Sequence, residues 1–281
     1  MGAIIRSITS IPRLSREQAH VAPERLVWGR VNSQVVAALG EAIRDYKRRQ
    51  TSAWIVRTAC LNGVGRDVLK SLQQSPDSIC QMAMQCAWYS IHGRVPSHYE
   101  SVQTIRWRLG RTEAGRCASL ESKELAELMT KFPGPWNAEE EALLVRALKK
   151  ACEKHAKMIK DHGEGAGVDR HMFALRNQLA EANLPIPGVL NNELFSRASA
   201  WDLSTSFSFV ETESPELQNS TSFRPVSVTS TGIVYSIQDQ HIDLTVLVRQ
   251  ERRDFDPDEF IKRFVLVLAK FVKLLSGKPR L

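Results

Sequence analysis

No stretch of this chain comes near about 18 uncharged apolar residues in a row, which excludes a helix built to cross a bilayer. The most apolar segment, 264–275, is broken by Lys270 and Lys273. Cysteine is scarce: Cys60, Cys80, Cys86, Cys117 and Cys152 are an odd number, and no pair has metal-ligand spacing. Neither a disulfide framework nor a zinc site is therefore expected, and a reducing compartment is the simpler setting. The 7 histidines are scattered, none beside Asp, Glu or Cys at metal-ligand spacing. Ser204-Thr205-Ser206 lacks the glycines of a nucleophile elbow. With no helix-turn-helix, zinc-finger or aromatic RNA-binding signature, nucleic acid is not an expected partner. Internal repeats and low-complexity tracts are also missing.

What is present is an ordinary globular composition, 43% apolar and 25% charged. At 281 residues the chain is long enough for one large domain or two ordinary ones. A net charge of +7 fits either a plain basic surface or affinity for anions such as phosphorylated small molecules. Residues 1–16 hold three arginines, several serines and no acid, which fits a mitochondrial leader or a connection between domains. Arg6 stands where a myristoylation pattern needs Ser or Thr.

Along the chain, Pro12 and Pro23 mark the first residues as a connector. Ser33 caps an expected helix to Gln50 with Val36, Leu39, Ile43 and Tyr46 on one face. Ser75-Pro76-Asp77 opens a second, with Ile79, Met82, Ala83, Cys86 and Ala87 as core. Asn137, with Glu140 three residues on, opens a long charged helix. Residues 169–182 suggest another, with Met172, Leu175 and Leu179 inward. Short β-branched or alternating runs at 203–210, 223–228, 232–237 and 242–248 predict strands. A last amphipathic helix runs from Asp256-Pro257 to near Gly277. The mixture predicts an α/β or α+β layered domain.

Tyr99-Glu100-Ser101 and Gly110-Arg111-Thr112-Glu113 place a phenol, hydroxyls and an arginine close together. Such groups suit a carboxylate, and equally a polar strand-and-turn network. These two blocks, with Ser75-Pro76-Asp77 before them and Asp169-Arg170-His171 and Leu203-Ser204-Thr205-Ser206 after, resemble in order the signature blocks of the choline/carnitine acyltransferases. Phe223, Pro225-Val226, Gly232, Tyr235 and His241-Ile242 continue the likeness, which covers roughly residues 25–281. It implies an α/β, chloramphenicol-acetyltransferase-like layered domain, the C-terminal of that family's two. Residues 1–31 would be the interdomain connector and 32–281 the carnitine- and CoA-binding domain.

The resemblance also implies roles. Tyr99, Thr112 and Arg170 match the groups holding the carnitine carboxylate, with Ser101 beside them. Ser206 matches the hydroxyl supporting the oxyanion, and Phe223 an aromatic near the trimethylammonium. Arg66 and Lys70 match basic positions meeting CoA phosphate, and 70–77, ending at Asp77, resembles the CoA-binding loop. Thr112 and Arg170 favour carnitine over choline, which has no carboxylate. Acyl-CoA is then a co-substrate, with no permanently bound cofactor and no metal. The family's general-base histidine lies in a Glu-His block that has no counterpart here, so the chain reads as a partial enzyme, inactive without an N-terminal half. Phe207, Ala156 (beside Lys157), Arg224 and Thr229-Ser230-Thr231 depart from the family pattern. They leave open a non-catalytic ligand-binding or interaction protein descended from the family. Thr221 falls where residue size would set acyl length. The family implies a mitochondrial or peroxisomal setting.

Overall fold

The structure, a computed structural model, describes residues 29, 32–50, 53–208, 221–225, 227 and 229–277. All of the expected connector except Gly29 lies outside the described residues, as do residues 209–210 of an expected strand. Two compact units are distinguished, and each is described by itself.

Helix α1 (Ser33–Gln50) belongs to the first unit. The expected stripe is there, but it is not covered: Val36, Leu39, Ile43 and Tyr46 are 46–58% exposed.

The second unit is a six-stranded mixed sheet with helices. Its strands are β1 (Trp54–Asn62), β2 (His98–Gln103), β3 (Thr112–Arg116), β4 (Leu203–Phe207), β5 (Thr231–Ile237) and β6 (His241–Arg249). They lie in the order β1-β6-β5-β4-β2-β3. The central strands β2, β4 and β5 run parallel, and the flanking pairs are antiparallel. The helices are α2 (Arg66–Ser71), α3 (Pro76–His92), α4 (Leu120–Lys131), α5 (Ala138–Asp161), α6 (Asp169–Glu181), α7 (Glu193–Ala198) and α8 (Pro257–Ser276).

Alternation along the strands gives the sheet two different faces. Leu203, Ile233, Tyr235, Ile237, Ile242, Leu244, Val246 and Val248 turn to one side and join a single apolar core with α3, α4, α5 and α8. Helix α8 contributes Phe260, Phe264, Val267, Leu268, Phe271 and Leu274, all buried, at the spacing of one helical face. Each such side chain contributes about 1.5–3 kcal/mol on burial. Asp256 caps that helix by accepting from Asp258 and Glu259, and Gly277 ends it at a φ of +58°. Helix α3 begins where Ser75 accepts from the Ser78 amide, ahead of Pro76. Asn137 and Glu140 form the expected reciprocal cap of α5.

The α/β layered class holds, with three corrections. Residues 223–225 form no strand. Their backbone instead crosses close over β5 at Gly232, where an added Cβ would meet the Phe223 carbonyl oxygen at 2.8 Å. On α6, Met172 and Leu179 are half-buried but Leu175 is 42% exposed, so its stripe is only partly inward. Strand β1 was not expected, because its polar and apolar residues are spread over both faces.

Candidate functional site

The other face of the sheet carries hydroxyls. Tyr99 and Ser101 on β2 stand in register with Arg116 and Ala114 of β3, while Ser204 and Ser206 of β4 stand beside Gly232 and Val234. Tyr99, Ser101, Ser206, Phe223 and Thr221 line one cavity of about 340 Å³. The Ser101 and Ser206 hydroxyls are 3.3 Å apart, so one donates to the other and both are held over the sheet. Phe207 also lines this cavity, with its ring 5.5 Å from that of Tyr235. Arg224, one of the departures from the family pattern, is exposed and does not line it.

Tyr99 also lines a second cavity, of about 680 Å³, with Arg170, Arg116, Phe173, Arg176 and Trp201. Arg170 reaches β3, its Nε donating to the Thr112 carbonyl at 2.9 Å and its Nη2 to the Thr112 hydroxyl at 3.4 Å. Burial raises the Tyr99 phenol above its ordinary value, although the Arg170 guanidinium works against that. Tyr99 is thus a neutral donor beside a permanent cation. Phenol, hydroxyl and guanidinium together can take both oxygens of a carboxylate.

The start of α6 is fixed by Arg116, which the sequence reading missed, and by Glu113, to which it gave no role. Arg116 grips Asp169 through two bonds of 3.0 and 2.6 Å, while its guanidinium lies 4.8 Å over the Trp201 ring. Buried Glu113 accepts from the Arg170 amide at 3.2 Å and from the Ala114 amide at 2.6 Å. Asp169 next to Arg170 was the available signal, a carboxylate that needs a basic partner from elsewhere.

The three positions assigned to CoA do not sit together. Arg66 and Lys70 lie on α2; Arg66 ion-pairs with Asp239 at 3.2 Å, and Lys70 is exposed. Asp77 is turned toward the core, accepting from the Tyr235 hydroxyl. Desolvation and the nearby Glu100 raise its carboxyl to about 7. The Tyr235 oxygen accepts from Gln81 at 2.8 Å and stands 3.2 Å from Glu100. Glu100 also holds His155 Nε2 at 2.9 Å, and His155 Nδ1 meets the Ser78 hydroxyl at 2.9 Å. Desolvation opposes protonation of His155, yet the bond and charge of Glu100 outweigh it and raise its pKa.

No histidine is among the described residues that line either cavity. His155 and His98 are both buried, and His98 is lowered to about 3 by desolvation first and then by His155. Among the described residues no helix is long and apolar enough to cross a membrane.

The family description Choline/Carnitine o-acyltransferase matches residues 5–265. Mitochondrial carnitine O-palmitoyltransferase 2 of Bos taurus is 32% identical over 214 residues, 76% of this chain and 31% of that protein. The Xenopus tropicalis counterpart is 28% identical over 98% of this chain and 41% of its own length. Peroxisomal carnitine O-octanoyltransferase of Bos taurus is 32% identical over 63% of this chain and 28% of that protein. This chain therefore spans well under half the length of the curated relatives it matches.

Among solved structures, a wax ester synthase/diacylglycerol acyltransferase from Marinobacter aquaeolei VT8 aligns with a TM-score of 0.38 and 11% identity, over 88% of this chain and 59% of that one. An epimerization domain of tyrocidine synthetase B aligns with a TM-score of 0.40 and 10% identity, over 93% and 54%. Scores at that level bear no weight here. Sequence carries the assignment: the chain belongs to the choline/carnitine O-acyltransferase family.

Proposed function

We propose that this chain supplies the carnitine pocket, the oxyanion hydroxyl and a CoA-facing basic helix to a carnitine O-acyltransferase, which moves an acyl group between CoA and carnitine. The convergence of Tyr99, Ser101, Ser206 and Phe223 on one cavity, with Arg170 on Thr112 beside it, is the observation that supports the reading. Arg170, Thr112 and Tyr99 would hold the carnitine carboxylate, and the Phe223 ring face would attract its trimethylammonium. Ser206, oriented by Ser101, would donate to the oxygen that gains charge as the thioester is attacked.

Arg66 and Lys70 would meet CoA phosphate. Asp77, held by Tyr235, would serve CoA indirectly by fixing the first turn of α3, which follows the connection from α2. The proton acceptor for the carnitine hydroxyl is assigned, within the same proposal, to the portion of the relatives' length that this chain does not span. Residues 32–281 are the carnitine- and CoA-binding domain on this reading. The named relatives point to palmitoyl or octanoyl groups as the acyl class, and to a mitochondrial or peroxisomal setting.

The test is saturation-transfer NMR of the purified chain with L-carnitine and with choline. Carnitine should give the stronger response, and Arg170→Ala should remove the difference. Equal responses from the two alcohols, or a carnitine signal indifferent to Arg170→Ala, would show that the carboxylate site is misassigned.

A further inference from the structure

Among the described residues, two clusters in the second unit bring a cysteine, a histidine and a carboxylate together, and they differ in what they can accept. Glu100, Cys117 and His155 form the first. All three are buried, His155 already spends both ring nitrogens on Glu100 and Ser78, and the thiol leans on the same carboxylate at 3.5 Å. An ion entering there would have to break a satisfied network and cross the core. That cluster is a structural knot.

Cys60, His241 and Asp243 form the second, and their ligand atoms lie within 4.8 Å of one another. The grouping follows from β geometry. Cys60 on β1 is the register partner of Asp243 on β6, and Asn62 is the partner of His241. His241 and Asp243 are two apart on one strand, so all four side chains emerge on the same face. His241 Nε2 stands 3.3 Å from Asp243 Oδ2, and the Cys60 sulfur stands 3.7 Å from the Asn62 amide oxygen. Cys60 is exposed and the other two are half-buried, so solvent reaches the cluster.

We propose that Cys60, His241 and Asp243 form a three-ligand site for zinc or a similar divalent d-block ion. Sulfur, imidazole and carboxylate are the three donor types that zinc takes, and three protein ligands leave the fourth tetrahedral position for water or the Asn62 amide oxygen. Thiolate and imidazole select against magnesium and calcium, which take hard oxygen donors. The expectation of no metal came from sequence spacing. It could not reveal this grouping, because the ligands come from strands at opposite ends of the second unit's sequence.

The position gives the site a consequence. The turn preceding His241 carries the start of α2, with the Arg66 amide donating to the Gln238 carbonyl at 2.7 Å and the Asp67 amide to the Asp239 carbonyl at 3.2 Å. An ion joining β1 to β6 stiffens the base of that turn. None of this rests on the acyltransferase reading.

The test uses the untagged, reduced, chelator-stripped 281-residue chain titrated with Co²⁺ alone and then with Zn²⁺. One equivalent of Co²⁺ should give a near-ultraviolet thiolate-to-metal band that Zn²⁺ abolishes. Cys60→Ser should remove the band. His241→Ala and Asp243→Asn should each weaken binding about tenfold or more, the lower end of what even outer-shell changes cost. Cys117→Ser should leave the titration unchanged, and circular dichroism checks that the variants keep their fold. Cobalt binding without the band, a band that survives Cys60→Ser, or one that disappears with Cys117→Ser overturns the assignment.

Discussion

The two faces of the central sheet are made of nearly the same backbone and do opposite work. One is apolar and closed under α3, α4, α5 and α8, around a polar knot of Asp77, Glu100, His155 and Tyr235. The other presents Tyr99, Ser101 and Ser206 to a cavity. The helical face should therefore govern stability and the hydroxyl face ligand binding, with little crossover. Residues far apart with no shared partner change free energy independently.

The largest effect should come from the closed face. Phe264→Ala removes a fully buried ring from the core and should cost about 3–5 kcal/mol in denaturant unfolding. A loss below about 1 kcal/mol would mean that α8 does not pack as described.

Next comes the polar knot, through pH. The Asp77 carboxyl is raised from 3.8 to about 7 in the folded state, so the folded chain binds more protons than the unfolded one between those values. Its contribution to stability is present below pH 3.8 and is lost as pH rises through about 7. His98, lowered to about 3, pulls the opposite way, so the readout is a difference between proteins rather than a single slope. Wild type should lose stability relative to Asp77→Asn across that window. Parallel pH profiles would remove Asp77 from the knot.

On the hydroxyl face, the proposed carnitine site predicts that Arg170→Ala weakens carnitine binding by about 1.5–3 kcal/mol and CoA binding far less. Its unfolding midpoint should stay near that of wild type. If stability falls as much as affinity, the two faces are not separable at α6.

The smallest effect is expected of Ser75→Ala, which removes the cap of α3 and should cost about 0.5–2 kcal/mol without changing carnitine binding. Thermal unfolding beside a carnitine titration tests both halves of that statement.

What the sequence made legible follows local physics. Caps at Ser75, Asn137 and Asp256 announce their helices because their chemistry is spent within four residues. The runs behind β5 and β6 are apolar enough to read as strands. Strand β1 was missed because five of its nine residues sit exposed and its pairing partner is far along the chain. In the candidate site, the family likeness supplied Tyr99, Thr112, Arg170 and Ser206, and composition alone would not have. Arg116 escaped notice and Glu113 was named without a role, because their work is to hold other residues, and such support appears only when β3 and α6 are seen together.

Strands β2, β4 and β5 run the same way, whereas a plain meander would alternate. Their carboxyl ends accordingly gather along one rim, the position at which sheets of this kind place their binding crevices. Ser206 and Phe207 close β4 at that rim, and the Ser208 amide adds one more bond to the Tyr235 carbonyl at 2.8 Å. The segment from Thr221 to Phe223 forms cavity wall without joining the sheet. Wall residues such as Thr221 can therefore be exchanged without touching the strand ladder, a separation of cavity shape from folding that follows from strand direction.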